Sequence, residues 1–193
     1  MDLLLIFMGA ALINNVILSH ALGIGGMIDE SKQLKSAFGL GVVVSSIIIL
    51  SMLVVFPIHH VILYPLGLIA FNLMIFVLVI LVVVHLMGLC LRKILPTVVG
   101  ELGFSYLLIT TNSAILGVIL LGLNQFSHSF GTAILYTLGT TAGFILVMVL
   151  FAGIWERIQY NEISANFKGV PIAMITAGLM AIVFFGFTGL FGM

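Results

Sequence analysis

Apolar residues occur along this chain in six long runs, separated by short stretches that contain nearly all of its charge. A helical run crosses about 30 Å of hydrocarbon with about 20 residues, since each residue rises about 1.5 Å. Residues 76–84 are continuously apolar, without the alternation that an outer-membrane strand requires. The pattern predicts an all-α integral membrane protein with six transmembrane helices, at residues 3–26, 36–57, 67–91, 102–124, 130–152 and 170–191.

Composition supports the same class. Hydrophobic residues make up 63% of the chain and charged residues 6%, against about 25% charged in an ordinary soluble domain. So few charges cannot cover a water-exposed surface, and membrane lipid is therefore the expected surrounding. The formal net charge is zero, and nothing in it favours nucleic acid as a partner.

The basic residues lie on one side of the predicted bundle. Loops rich in Lys and Arg usually lie in the cytoplasm, so the loops on this side are expected there and both termini are expected outside. All six Lys and Arg residues fall in the odd-numbered loops, as Lys32 and Lys35, Arg92 and Lys93, and Arg157 and Lys168.

The two halves of the chain resemble each other. A shift of 98 residues pairs Asn14 with Asn112 and Gly41 with Gly139. Each half contains three predicted spans, an odd number, so the halves must have opposite orientations in the membrane. We therefore predict a single membrane domain over residues 1–193, built as an inverted repeat of 1–95 and 99–193.

Polar residues interrupt spans one and four near the membrane midplane. A side-chain amide in hydrocarbon is costly unless it is paired, so it is usually retained for a pathway, a ligand or a helix contact. Glycines beside these residues permit a helix to stop inside the membrane where protein covers the backbone. We predict that helices one and four are broken, and the candidate residues for a midplane electron or ion pathway are Asn14, Asn15, His20, Thr110, Thr111 and Asn112.

Catalytic motifs are absent from the sequence, which has no P-loop, nucleophile triad or CxxC pair. The chain by itself therefore has no complete active site, and whether it belongs to an enzyme depends on its partners. Cys90 is the only cysteine and forms no internal disulfide. The predicted spans contain no acid, so an ion site would use amides, hydroxyls and backbone carbonyls, or lie at a partner interface.

Several segments carry a specific resemblance, among them NNVIL with LGIG, SKQLKSAFGLG, LLITTNSAILG, and WERI with ITAGLMA. They resemble, from end to end, the six-helix membrane subunits of the Rnf and Nqr complexes, above all the A-type Rnf family with the related Nqr E and D subunits. The resemblance implies a subunit in the cytoplasmic membrane of a prokaryote. Its complex would couple electron transfer between NADH and ferredoxin to sodium or proton transport. The implied partners are a homologous membrane subunit of opposite orientation and subunits that carry flavins and iron–sulfur clusters.

The resemblance also implies a [2Fe–2S] cluster shared with the homologous subunit, and here the sequence departs from the family. The family's first cysteine ends an LGxC motif and its second follows the asparagine of TTNC. These positions are Gly25 and Ser113 in this chain. Iron in such clusters is held by thiolates, sometimes by histidine. The chain is therefore not expected to complete the cluster in the usual way, or to bind a cofactor or metal alone.

Three explanations of the missing cysteines stay open. The complex uses another electron route, the chain is a redox-silent structural paralogue, or the glycine and serine were introduced deliberately. A stand-alone inverted-repeat transporter is the alternative from another functional class. Broken helices fit either class, whereas the end-to-end resemblance favours membership of the complex.

Overall fold

The computed structural model describes residues 3–30, 33–94, 109 and 112–189, and every regular element in these ranges is helical. The α-helices are α1 (Leu3–Met8), α2 (Val16–His20), α3 (Ile24–Glu30), α4 (Leu34–Ile58), α5 (Asn72–Ile94), α6 (Ser113–Phe126), α7 (Phe130–Ile158) and α8 (Val170–Phe185). Single π-helical turns follow α1 and α4, at Gly9–Ile13 and His59–Leu63, and 3-10 turns occur at Ile69–Phe71, Ala165–Phe167 and Gly186–Gly189.

The predicted class of all-α membrane protein is confirmed. Two shorter apolar helical stretches, Leu3–Ile13 and Ser113–Phe126, belong to the predicted spans one and four. Within the described residues, four helical stretches are long and apolar enough to cross a membrane, namely Leu34–Leu63, Ile69–Lys93, Phe130–Ile158 and Val170–Thr188. The predicted first part of span four, residues 102–111, lies outside the described residues except for Ile109.

Several predicted span ends were wrong. The second span was expected to end at Pro57, but α4 continues through this proline into the π-turn that ends at Leu63. The third span begins at Ile69 rather than 67, because Gly67 adopts a left-handed turn with φ +68°. At the other end of the bundle, α7 extends to Ile158 instead of ending near 152.

Helices α4 and α7 pack along each other at the centre of the structure. The first helical segment lies along α7, α6 packs against both central helices, and α8 contacts α2. Apolar side chains gain little hydrophobic free energy by leaving lipid for a helix contact. Small residues, which allow close packing, therefore decide which helix faces meet. The central contact is closed by fully buried side chains from both helices, including Ile48, Met52, Phe144 and Phe151.

Two glycines on α7 form a groove for the first helical segment. A Cβ on Gly139 would lie 2.5 Å from the carbonyl oxygen of Phe7, and one on Gly143 would lie 2.8 Å from the Cα of Ala11. The two glycines are four residues apart and therefore share one helix face. The backbone of the first segment consequently rests directly on α7.

The first turn of α4 is capped from the other half of the chain. Gln33, at the N-cap position, makes no side-chain cap, and the Leu34 N–H donates to Glu156 Oε1 at 3.0 Å. This bond joins the start of α4 to the end of α7. It links the N-terminal end of one central helix to the C-terminal end of the other.

Candidate functional site at the helix breaks

Asn15 holds both sides of the first helix break. The π-turn ends at Asn14, whose N–H donates to the Gly9 carbonyl, and Asn15 is extended with φ −62° and ψ 121°. The buried Asn15 side chain accepts from the Ile17 N–H at 3.1 Å and donates through Nδ2 to the Ala11 carbonyl at 3.0 Å. Because a break in hydrocarbon must satisfy its own backbone groups, this side chain makes the interruption tolerable.

The neighbouring polar residues lie at the surface. Asn14 is exposed and its side chain makes no hydrogen bond to another described residue. Ser19 donates to the Ile13 carbonyl at 3.0 Å, and His20 is exposed at the end of α2. The predicted pathway residues of the first break thus differ in burial. Asn15 lies in the protein interior, whereas Asn14 and His20 are exposed on the protein surface.

A cleft of about 490 Å³ lies between the first break and the C-terminal part of α8. Asn14, Ser19 and Thr188 give it a partly polar wall. Both hydroxyl groups already donate to backbone carbonyls, so their oxygens are available as acceptors. The lining residues are Ile13, Asn14, Leu18, Ser19, Ala181, Ile182, Phe185 and Thr188.

Asn112 provides the matching cap in the second half. It is extended with φ −70° and ψ 109°, and its Oδ1 accepts from the Ala114 N–H at 3.0 Å. Asn15 has the same geometry toward Ile17, whereas the 98-residue shift pairs Asn112 with Asn14. The capping asparagine of the first half is therefore one residue later than the sequence comparison indicated.

The amide nitrogen of Asn112 is buried and finds no partner among the described residues. A Cβ on Gly26 would lie 3.5 Å from this nitrogen, so the orphan donor faces the start of α3. Buried donors without an acceptor are rare and call for an explanation. Thr110 and Thr111, the other predicted residues of the second break, lie outside the described residues.

Gly23, between α2 and α3, contacts the start of α6. Its N–H donates to Ser113 Oγ at 3.0 Å, although 90 residues separate the two in sequence. Gly23 has φ +80°, and a Cβ there would lie 3.1 Å from Asn112 Oδ1 and 3.1 Å from the Phe144 ring. Only glycine satisfies both the left-handed backbone and this close approach.

We call residues 23–26 and 112–114 the break junction. Sequence reasoning missed Gly23 as its centre. The cluster of glycines in LGIGG was the available signal, but the partner segment could not be deduced from it.

The side chains at the break junction do not fit an iron–sulfur cluster. Gly25 has no side chain, and a Cβ there would meet no described residue within 4 Å. Ser113 offers a hydroxyl that already accepts the Gly23 hydrogen bond. Cys90 is exposed near the C-terminal end of α5, and no group of three His, Cys, Asp or Glu residues suited to a metal occurs among the described residues.

Known proteins show what this chain is similar to. A family model described as "Rnf-Nqr subunit, membrane protein" matches residues 3–191. A protein of Yersinia pseudotuberculosis serotype O:1b (strain IP 31758), named as the A-type subunit of an ion-translocating oxidoreductase complex, is 45% identical over 189 residues, covering 98% of this chain and 97% of the relative. A protein of the same name from Yersinia enterocolitica serotype O:8 is 44% identical with the same coverage.

Proposed function

The chain belongs to the Rnf-Nqr family of membrane subunits, and from that premise we propose that it serves as the A-type membrane subunit of an ion-translocating oxidoreductase complex. The observation that carries this proposal is the similarity over 98% of the chain to proteins of that name. A matching fold alone would be weaker support, since transporters also use broken helices. Similarity over the full span extends to the loops, which a shared fold does not require.

We place the chain in the cytoplasmic membrane of a prokaryote as six crossings in two inverted repeats. Both termini are outside and the basic loops are in the cytoplasm. The distribution of Lys and Arg supports this orientation. The matching side-chain caps of Asn15 and Asn112 support the repeat, because each begins a helix in the corresponding part of its half.

The proposed partners are a homologous membrane subunit of opposite orientation and subunits that carry flavins and iron–sulfur clusters. Exposed polar groups in the bundle support a membrane partner. Asn14 and His20 lie at the surface of a predicted span, where hydrocarbon would leave their polar atoms unsatisfied. A second helical protein packed on this surface would supply hydrogen-bonding partners.

For ion transport, uncharged oxygen and nitrogen groups around the breaks are the proposed pathway. Asn15 and Asn112 hold the helix ends in place, whereas Asn14 and His20 remain accessible from the surface. Thr110 and Thr111 complete the proposed set in the second half. Such groups suit sodium coordination or relay of a proton through bound water. No electron-transfer step is assigned to this chain's own side chains.

A tagged copy of the chain tests the proposal in its native host. After solubilisation in mild detergent, mass spectrometry should identify flavin-bearing and iron–sulfur subunits together with a homologous six-helix membrane protein. Deleting the gene should abolish the ion uptake into membrane vesicles that is driven by electron transfer between NADH and ferredoxin. A chain that purifies alone, and whose reconstitution into liposomes suffices for solute transport, would instead establish a stand-alone transporter.

A further inference from the structure

We infer that the break junction of this chain supplies no ligand to a [2Fe–2S] cluster, and that Ser113 instead joins the two halves by accepting the Gly23 N–H. We also infer that the surrounding backbone still has room for sulfur ligands. The inference about iron rests on the proposed function, because it concerns the chain within its redox complex. The inference about the hydrogen bond concerns the chain alone.

The Gly23–Ser113 bond has a structural purpose. Gly23 occupies a left-handed turn between α2 and α3, where the helical hydrogen-bond pattern is interrupted. Its N–H therefore needs an acceptor from elsewhere, since water is excluded from the hydrocarbon layer. Ser113 Oγ provides that acceptor at 3.0 Å. A serine hydroxyl also retains its proton at neutral pH, whereas iron in these clusters is held by thiolates or imidazoles.

The absence of a side chain at Gly25 removes the second ligand. Gly25 lies within α3 and is exposed, and among the described residues a Cβ at this position would meet nothing within 4 Å. No side chain from the described part of the chain therefore fills the position that a cysteine would occupy. Cys90, which lies on α5 beside Leu91 and Arg92, belongs to a different part of the structure.

The backbone of the junction nevertheless remains suited to sulfur. A cysteine at position 25 would contact none of the residues that the structure describes, and the helical backbone there would impose no left-handed strain. A cysteine at position 113 would keep an acceptor near the Gly23 N–H, and hydrogen bonds to sulfur are a normal feature of iron–sulfur sites. The orphan amide of Asn112 lies beside the same segment. The chain therefore differs from a cluster-binding junction in the side chains at positions 25 and 113, and not in its backbone.

The hydrogen bond is tested first on the full chain in detergent. Ser113→Ala should lower the midpoint of thermal unfolding by about 2–4 °C, the change expected for a lost hydrogen bond in a chain of this size. Ser46→Ala is the matched control, because the Ser46 hydroxyl donates to the Val42 carbonyl of its own helix. An unchanged midpoint for Ser113→Ala, or an equal loss for Ser46→Ala, would refute the joining role.

Iron is then measured on the purified complex, by metal analysis and low-temperature EPR. The unsubstituted chain, Ser113→Ala and Cys90→Ser should give the same iron content and the same [2Fe–2S] signals. In a complex whose homologous membrane subunit supplies two further cysteines, the double variant Gly25→Cys with Ser113→Cys should gain about two irons and a new [2Fe–2S] signal. Either single cysteine variant should gain neither.

Each outcome decides one claim. Loss of a [2Fe–2S] signal in Ser113→Ala would show that Ser113 supports a cluster and would overturn the inference about ligands. A double variant that assembles with a homologous subunit carrying two cysteines, but gains no iron, would overturn the claim that the junction still accommodates sulfur. Failure of the chain to co-purify with flavin and iron–sulfur subunits would instead contradict the proposed function, and the unfolding measurements would still decide the role of Ser113.

Discussion

The carbonyl oxygen of Phe7 lies 2.5 Å from the position that a Cβ on Gly139 would occupy. The first helical segment and α7 are thus in backbone contact at this point. Four residues further along α7, Gly143 gives the same access to Ala11, just before the first break. The position of Asn15, and with it the geometry of the break, depends on these two missing side chains.

Replacing Gly139 with alanine should therefore destabilise the protein. The added methyl would overlap the Phe7 backbone, which cannot move away as a flexible side chain could, and overpacking of this kind costs about 1–3 kcal/mol. Thermal unfolding in detergent measures the effect. Gly153→Ala, also on α7, is the control, because its Cβ would meet nothing within 4 Å in the described ranges and alanine favours a helix. Equal midpoints for the two variants would contradict the groove.

The two adjacent asparagines should respond differently to alanine. Asn15→Ala removes two buried hydrogen bonds and should lower stability by about 2 kcal/mol. Asn14→Ala removes an exposed amide without a bond to another described residue, so its unfolding midpoint should stay near that of the unsubstituted chain. If Asn14 belongs to the ion pathway, its variant should instead reduce ion uptake in vesicles that contain the complex. A larger loss of stability for Asn14→Ala would reverse the assigned roles.

Glu156 should contribute to stability as a cap of α4. Its oxygen accepts the Leu34 N–H, and loss of a helix cap costs about 0.5–2 kcal/mol. Glu156→Ala should therefore lower the unfolding midpoint, and Glu156→Gln, which retains an acceptor oxygen, should recover most of the loss. Glu162→Ala, at an exposed loop position, serves as the control. Equal effects of the alanine and glutamine variants at 156 would argue against capping.

Single cysteines should report the proposed orientation. In a Cys90→Ser background, Tyr160→Cys places a thiol in the last basic loop and His128→Cys places one in the loop between α6 and α7, at exposed positions. A membrane-impermeant maleimide added to intact cells should label position 128 and not 160. Permeabilised cells should show labelling at both. Labelling of position 160 alone in intact cells would invert the proposed topology.

Helix positions were largely predictable because the apolar runs are long and their composition is distinctive. Errors arose where one residue changes the backbone locally. The second span was predicted to end at residue 57, yet the helix passes Pro57 and continues as a π-turn. The third span was predicted to begin at residue 67, but Gly67 forms a left-handed turn before the helix.

The first break shows a different limit. Asn14 and Asn15 are both residues that cap helices readily, and sequence gives no reason to choose between them. The π-turn at Gly9–Ile13 widens the helix before the break, and Asn14 is the C-cap residue of this turn. Asn15 consequently faces inward and performs the same task as Asn112. A one-residue difference of this kind is decided by hydrogen bonding, which a gapless comparison of the two halves cannot register.

Sequence alone settles the membrane class, the polar interruptions and the absence of cysteine at positions 25 and 113, because each is a property of composition or of a single residue. Tertiary structure decides that the Gly23 N–H reaches Ser113 and that Glu156 caps the helix beginning at Leu34. These contacts join residues that lie far apart in the chain. Helices that are apolar on all sides do not specify which faces meet, so small residues such as Gly139 and Gly143 set the packing, and the packing sets the junction.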